Sequence, residues 1–354
     1  MFKLQSKEIK SSDEIFRYIK PNDNDKISEM KGFDLQDLLL YLDEYYLTLR
    51  EEIGLSKEVT IGLELELEYV MEKRIKALLW DSGLNHKWKH THDTTLINGM
   101  EIDSPILTDS KRSWEELKTI CSIVTPYSQI GTCSGGHIHI GAQVLGDNID
   151  SWVNFAGLWS AYENIIFRFC YGDYLTGRSS ILDFAAPIAE DARISYEDLK
   201  KISELSFDAV LREFRSSKYK AVNFNHVRSN NRFAIGNTIE FRCPNGSVDP
   251  VIWQNNVNLF AKLLRYCKND NFDEDIINRR WAELSSQEID IDLYDEIFLP
   301  QALELCDLIF DNNLDKVYFL RQYLKSFQTI GKRISIFKPY TLTNKSKPFT
   351  MKKS

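Results

Sequence analysis

Ile61-Gly-Leu-Glu-Leu-Glu-Leu-Glu-Tyr69 decides how this chain is read. Leucine and glutamate alternate there, with Glu64, Glu66 and Glu68 at every second position. Side chains of a β-strand alternate between faces, so the three carboxylates share one face and Leu63, Leu65 and Leu67 the other. Wound as a helix, the same letters gather no apolar stripe, so the pattern predicts a strand. Glutamate is a poor strand residue, and neighbouring like charges raise each other's pKa and cost stability. An ordinary amphipathic strand with one solvated face accounts for the alternation. Acids lining a cavity that holds divalent cations account for it as well, and the cations also offset the repulsion. On the metal-site reading, removing Glu64 or Glu66 is expected to relieve repulsion when no metal is bound; on the other, it is expected to lower the melting temperature.

Composition narrows the field. The chain has 354 residues, 43% hydrophobic and 27% charged, which suits a soluble globular protein of one large domain or two medium ones. A formal charge of −8 argues against a general nucleic-acid surface. No apolar run reaches the length of a membrane span, and the first residues lack the apolar centre of a signal peptide. The six cysteines, Cys121, Cys133, Cys170, Cys243, Cys267 and Cys306, form no Cys-x-x-Cys pair and suit reduced thiols. The expectation is a cytoplasmic protein.

Outward from the glutamate strand, residues 34–51 carry Leu35, Leu38, Leu39, Leu42, Tyr45, Tyr46 and Leu49 at helical spacing. Residues 73–84 read as helix and turn. Asn98-Gly99 between two short extended segments signals a hairpin, with Asp93 and Glu101 on its arms. Ser113-Trp-Glu-Glu116 reads as a capping box, starting a helix that runs to about residue 124. His137 and His139 alternate with Ile138 and Ile140 after Gly135-Gly136, predicting another strand. Asp150 or Ser151 is placed to cap a long helix burying Trp152, Phe155, Trp159, Tyr162, Ile166 and Phe169, an aromatic stripe read as core. Residues 218–225 and 237–242 alternate again, the latter putting Thr238, Glu240 and Arg242 on one face. Short helices follow from about residue 273, including one over 315–327. The parse is a helical N-terminal extension (1–58), a core (59–270) and a helical C-terminal extension (271–354) whose tail from 344 is loosely ordered.

Each polar strand residue alone has a dull explanation: a satisfied histidine, or a surface pair such as Glu240–Arg242 worth under about 1 kcal/mol. Together, Glu64, Glu66, Asp93, Glu101 and Glu240, with His137 and His139, describe a sheet with one greasy and one acidic face. Hard carboxylate donors without a thiolate cluster imply Mg²⁺ or Mn²⁺ rather than structural zinc.

The ordered series is specific. Gly62-x-Glu64-x-Glu66 leads to Asp93 and Gly99-x-Glu101-Ile-x-Ser-Pro105, then Cys133-x-Gly-Gly-His-Ile-His139, Arg178 and Thr238-Ile-Glu-Phe-Arg242-x-x-Asn-Gly246. Over residues 61–266 it resembles the amidoligase family, relatives of glutamine synthetase and glutamate–cysteine ligase. Two features depart from that pattern: a third acid, Glu68, and an inserted residue before His137, which leaves open whether His137 or His139 faces inward.

The resemblance implies an α+β fold, with a curved antiparallel sheet, helices on one face and a glutamine synthetase-like catalytic face. It implies ATP and Mg²⁺ as cofactors, and a small-molecule or peptide carboxylate and an amine donor as partners. By the same resemblance, Glu64, Glu66, Asp93, Glu101, His139 and Glu240 would bind metal. His137 would act as a ligand or phosphate donor, Arg242 and Arg178 would stabilise the transferring phosphoryl group, and Lys220 would contact phosphate. No Walker A loop is present, since Gly331-Lys332 lacks the upstream glycine and the following Ser or Thr. Two alternatives stand beside this reading. A metal-dependent amidohydrolase barrel is prompted by His137-x-His139 and His90-x-His92-Asp93, and a non-catalytic binding protein would have kept the fold.

Overall fold

The computed structural model describes residues 20–30, 42, 47–170, 181–202, 206–214, 218–228, 236–268, 272–286, 291–292, 298–331 and 341–342. The main sheet comprises β1 (Ile61–Leu67), β2 (Lys89–Asp93), β3 (Gly99–Asp103), β4 (Gly136–Gly141), β5 (Val222–Asn223) and β6 (Thr238–Phe241). Its six strands lie in the order β2-β3-β1-β4-β6-β5, and each neighbouring pair is antiparallel. The predicted α+β class and antiparallel sheet are therefore present. An open antiparallel sheet is not the parallel barrel of the amidohydrolase alternative.

Helices α1 (Glu72–Asp81), α2 (Lys111–Val124), α3 (Ile149–Cys170), α4 (Ala189–Lys200), α5 (Phe207–Phe214) and α6 (Pro250–Cys267) accompany this sheet. They are followed by α7 (Glu274–Ser286), α8 (Leu299–Ile309) and α9 (Asn313–Gly331). The period of two places Leu63, Leu65, Leu67, Ile102, Ile138, Ile140, Ile239 and Phe241 on one side of the sheet, and all are buried. Phe241 stacks on Phe260 of α6 at 4.0 Å between centroids and lies 5.9 Å from Trp159 of α3. The two longest helices beside the sheet thus cover its apolar face. The aromatic stripe of α3 is core as read, but burial extends around the whole helix from Ser151 to Cys170.

Local chemistry departs from the sequence reading at four places. Ser110, not Ser113, is the N-cap of α2: its extended backbone lets its hydroxyl accept from the Ser113 amide at 3.3 Å. Asn148 holds the start of α3, its Oδ1 accepting from the Asp150 amide at 3.0 Å. The Asn-Gly pair is not itself the hairpin turn. Residues 94–98 form the loop, Asn98 closes it at φ +48°, and Gly99 already belongs to β3. A Cβ on Gly99 would come 2.5 Å from the Leu67 carbonyl oxygen, so the glycine serves close backbone approach. The alternation over 218–225 yields only the two-residue β5.

The ends of the described chain pack together. Asp307 of α8 accepts from the amides of Ile27 and Ser28, and Asn313 donates to Asp25 and to the Lys20 carbonyl. Buried Asp315 gathers Arg50, Asn258 and Lys262, joining α6 to α9 and to the strand-leading segment. Most of the helix read over 34–51, and the tail from 344, lie outside the described residues. Among the described residues no helix is long and apolar enough to cross a membrane.

Glu163 of α3 is a buried acid that ties α4 to the core. It accepts from Trp159 Nε1 and the Ile188 amide, both at 2.7 Å, and from the Ala189 amide at 2.9 Å. Burial outweighs these bonds and raises its pKa to about 7. A raised carboxyl stabilises the fold fully below its unfolded value, and that contribution is lost as pH rises through the folded value. Between its ordinary 4.5 and about 7, stability should therefore fall with rising pH. Thermal melts across this window are expected to show the slope in wild type and a flatter one in Glu163→Gln.

Candidate metal-binding active site

The pleat that buries the leucines of β1 turns its acids to the other side. Glu64 stands opposite Asp103 of β3 and His137 of β4, while Glu66 stands opposite Glu101. One strand further, His139 faces Glu240 of β6, and Glu240 faces Asn223 of β5. On the far side Thr91 of β2 pairs with Glu101, which puts Asp93 on the same face. His90 and His92 pair with Ile102 and Met100, so they belong to the opposite face. The second histidine pair that prompted the amidohydrolase alternative is thus turned away from the acids.

Both histidines of β4 meet Glu64, which answers which of them faces the acids. His137 Nδ1 lies 2.7 Å from Glu64 Oε2, and His139 Nε2 lies 2.8 Å from Glu64 Oε1. His139 Nδ1 is held at 3.0 Å by Thr238 Oγ1. His137 Nε2 is buried 3.4 Å from Glu66 Oε1 and, among the described residues, makes no hydrogen bond. Glu66 Oε2 accepts from the Gly135 amide.

The electrostatics divide across β1. Burial works to raise Glu64, but the hydrogen bonds and charges of His137 and His139 overcome it and hold the carboxyl well below its ordinary value. Burial is likewise overcome at Glu240, where the His226 hydrogen bond and the charges of His137 and Arg242 bring the pKa to about 2. Toward β3 the cationic help is smaller, and His139 and Lys89 do not offset the effect of burial on Asp103. Burial, then the charges of Glu64 and Asp103, push Glu101 up to about 9. Asp103 is raised as well, by burial acting against a hydrogen bond from Glu101. The expected relief of repulsion therefore does not belong to Glu64, whose histidines stabilise its charge. It belongs to Glu101.

Among the described residues, ligand atoms converge in three overlapping groups, each within 4.8 Å: Glu64–His139–Glu240, Glu64–Glu101–His137 and Glu66–Asp93–Glu101. A buried imidazole nitrogen without a hydrogen bond is costly, and the Glu66 carboxylate lies beside this one. The oxygen-rich donor set fits a hard divalent cation.

Other expected residues are placed differently. Arg178 lies outside the described residues. Arg242 is on the polar face, with Nη1 paired to Glu240 Oε1 and Nε donating to the Phe184 carbonyl at 3.0 Å. Lys220 Nζ pairs with Asp191 Oδ2 at 2.9 Å. Three residues at the site were not among the expected site residues. Asp103 was legible, two positions after Glu101 on a period-two strand. Asn223, whose Nδ2 donates to Glu240 Oε2 at 2.7 Å, follows from alternation over 218–225. His226, 3.5 Å from Glu240 Oε2, sits in a turn that no periodicity predicts.

An open antiparallel sheet with helices on its apolar face and clustered acids and histidines on the other defines the class of protein. Residues 22–264 match the family described as "putative amidoligase enzyme", and the chain belongs to that family. Comparison with curated proteins finds none that matches.

Because Glu101 is raised to about 9, the metal-free protein should lose stability as pH climbs from 4.5 toward that value. Glu101→Gln is expected to melt higher than wild type at neutral and alkaline pH and to remove that part of the slope. Melts in the presence of chelator measure it; a lower melting temperature for the variant would contradict the repulsion argument.

Proposed function

We propose that this protein is an ATP-dependent carboxylate–amine ligase with a glutamine synthetase-like catalytic face. One observation carries the reading: Glu64 and Glu101 are each shared between groups of candidate ligands on a single sheet face. Family membership supplies the reaction class, and the acids supply the reason for it.

ATP brings about four negative charges and the substrate carboxylate one more, which must be screened before the two can meet. Glu64, Glu66, Asp93, Glu101, His139 and Glu240 would hold Mg²⁺ ions, or Mn²⁺, that supply this screening, with His137 as a further ligand or phosphate donor. The substrate carboxylate oxygen attacks the γ-phosphorus, ADP departs and an acyl phosphate remains. The amine nitrogen then attacks the acyl carbon, loses a proton and expels phosphate, leaving the amide. The histidines and Glu64 form one hydrogen-bonded unit that fixes the imidazole orientations before substrate enters. Arg242 is oriented by Glu240 and the Phe184 carbonyl, and its planar guanidinium would stabilise a phosphoryl oxygen. Arg178 takes the same role on the resemblance alone, and Lys220 contributes only if it leaves Asp191. The six free thiols suit a reducing cytoplasm.

The deciding assay follows ADP release by purified protein with ATP and Mg²⁺ against pools of carboxylates and amines. Release that requires one carboxylate and one amine together is expected; release indifferent to both would overturn the proposal. Arg242→Lys is expected to lower turnover by about 10²–10³-fold while ATP affinity changes far less, because lysine lacks the planar fork. Near-normal turnover in that variant would reduce Arg242 to a partner of Glu240.

A further inference from the structure

The third acid of the glutamate strand does something different from the first two. Glu68 is fully buried, and among the described residues its hydrogen-bond partners include no cation. Its Oε1 accepts from the Ile97 amide at 3.0 Å, in the loop between β2 and β3. Its Oε2 accepts from the Cys133 amide at 3.1 Å and from Ser134 Oγ at 3.3 Å, in the segment that enters β4. The first loop sits between Asp93 and Glu101. The second continues through Gly135, whose amide binds Glu66, into His137.

The surroundings are built around this carboxylate. Ser134 Oγ also accepts from the Gly131 amide at 3.1 Å, closing the segment on itself. A Cβ on Gly131 would lie 1.7 Å from Glu68 Oε2, so only glycine fits beside the acid. Tyr69, the next residue, holds φ +51°, and its amide donates to the Ile97 carbonyl at 3.0 Å. A bulky residue in the left-handed region persists only where its surroundings over-determine it.

We infer that Glu68 is a positioning residue: its two oxygens clamp the Asp93–Glu101 hairpin to the segment leading to His137, and so set the spacing of the metal ligands without touching the metal. This rests on the metal-site reading above. It assigns the third acid a role that the alternation alone does not reveal, since the same pleat that turns Glu64 and Glu66 to the open face carries Glu68 under two loops.

Glu68→Gln tests it. The amide is nearly isosteric, but its NH₂ must replace one oxygen, so a donor faces the donors of either Ile97 or Cys133 and one loop is released. Mn²⁺ titration of the full chain, counting bound ions and their affinity, separates the roles. Expected is the wild-type number of Mn²⁺ ions with affinity weakened about 10–100-fold, as for other groups that orient ligands indirectly. Glu66→Gln, a ligand change, should bind fewer ions. Gly131→Ala, which displaces the same carboxylate, should reproduce the weakened affinity. In metal-free Glu68→Gln, amide exchange at Ile97 or Cys133 should rise. Loss of one ion in Glu68→Gln would make Glu68 a ligand, and unchanged affinity or unchanged exchange at both amides would remove the clamp; either overturns the inference. Wild type that binds no Mn²⁺ would instead sink the metal-site reading, and this inference with it.

Discussion

The structure depends on holding like charges side by side on a sheet. Glu66 stands opposite Glu101, and Glu64 opposite Asp103. Two unit charges at 4 Å repel by about 4 kcal/mol at the effective dielectric of a protein surface. The reverse face supplies what resists them. Ile61, Leu63, Leu65 and Leu67 are all buried on β1, and such side chains contribute roughly 1.5–3 kcal/mol each. The apolar face therefore outweighs the repulsion, and one strand serves both stability and chemistry. A slip of one residue would exchange the two faces, so the register is strongly specified.

The charges are not balanced evenly. On the β4–β6 side, histidines, Asn223 and Arg242 answer Glu64 and Glu240, and both acids hold their charge easily. On the β2–β3 side Glu101 and Asp103 answer each other, and a proton is retained instead. In the proposed reading, a cation gains most beside Glu101, where a proton is now kept, because it removes the largest uncompensated repulsion.

Period-two alternation made β1, β4 and β6 legible, together with the face each acid occupies, because a half-buried strand writes its burial into the sequence. The same rule reached Asp103 without naming it. Turns were less legible. The Asn-Gly pair gave the hairpin but not its loop, since Gly99 is required by the Leu67 carbonyl rather than by a two-residue turn. Ser113 fits the capping pattern, yet Ser110 takes the cap, because nothing local distinguishes two serines three residues apart. The buried role of Glu68 was hidden for a different reason. It depends on loops 29 and 65 residues away in sequence, Ile97 and Cys133, which no local pattern couples.

The far wall of the polar face shows how the core reaches the chemistry. Glu163, inside α3, fixes the amides of Ile188 and Ala189. Two residues before Ile188, Ala186 bonds to the Tyr219 carbonyl and the Ala221 amide, and the Ala221 carbonyl accepts from the Arg242 amide. Phe184, at the start of this run, offers its carbonyl to Arg242 Nε. The guanidinium is therefore oriented from two directions, by Glu240 on its own strand and by a segment anchored in the core. An arginine on a free surface would lose rotamer entropy on meeting a phosphoryl group. In the proposed reading, much of that loss has already been incurred on folding, which is the physical content of preorganisation.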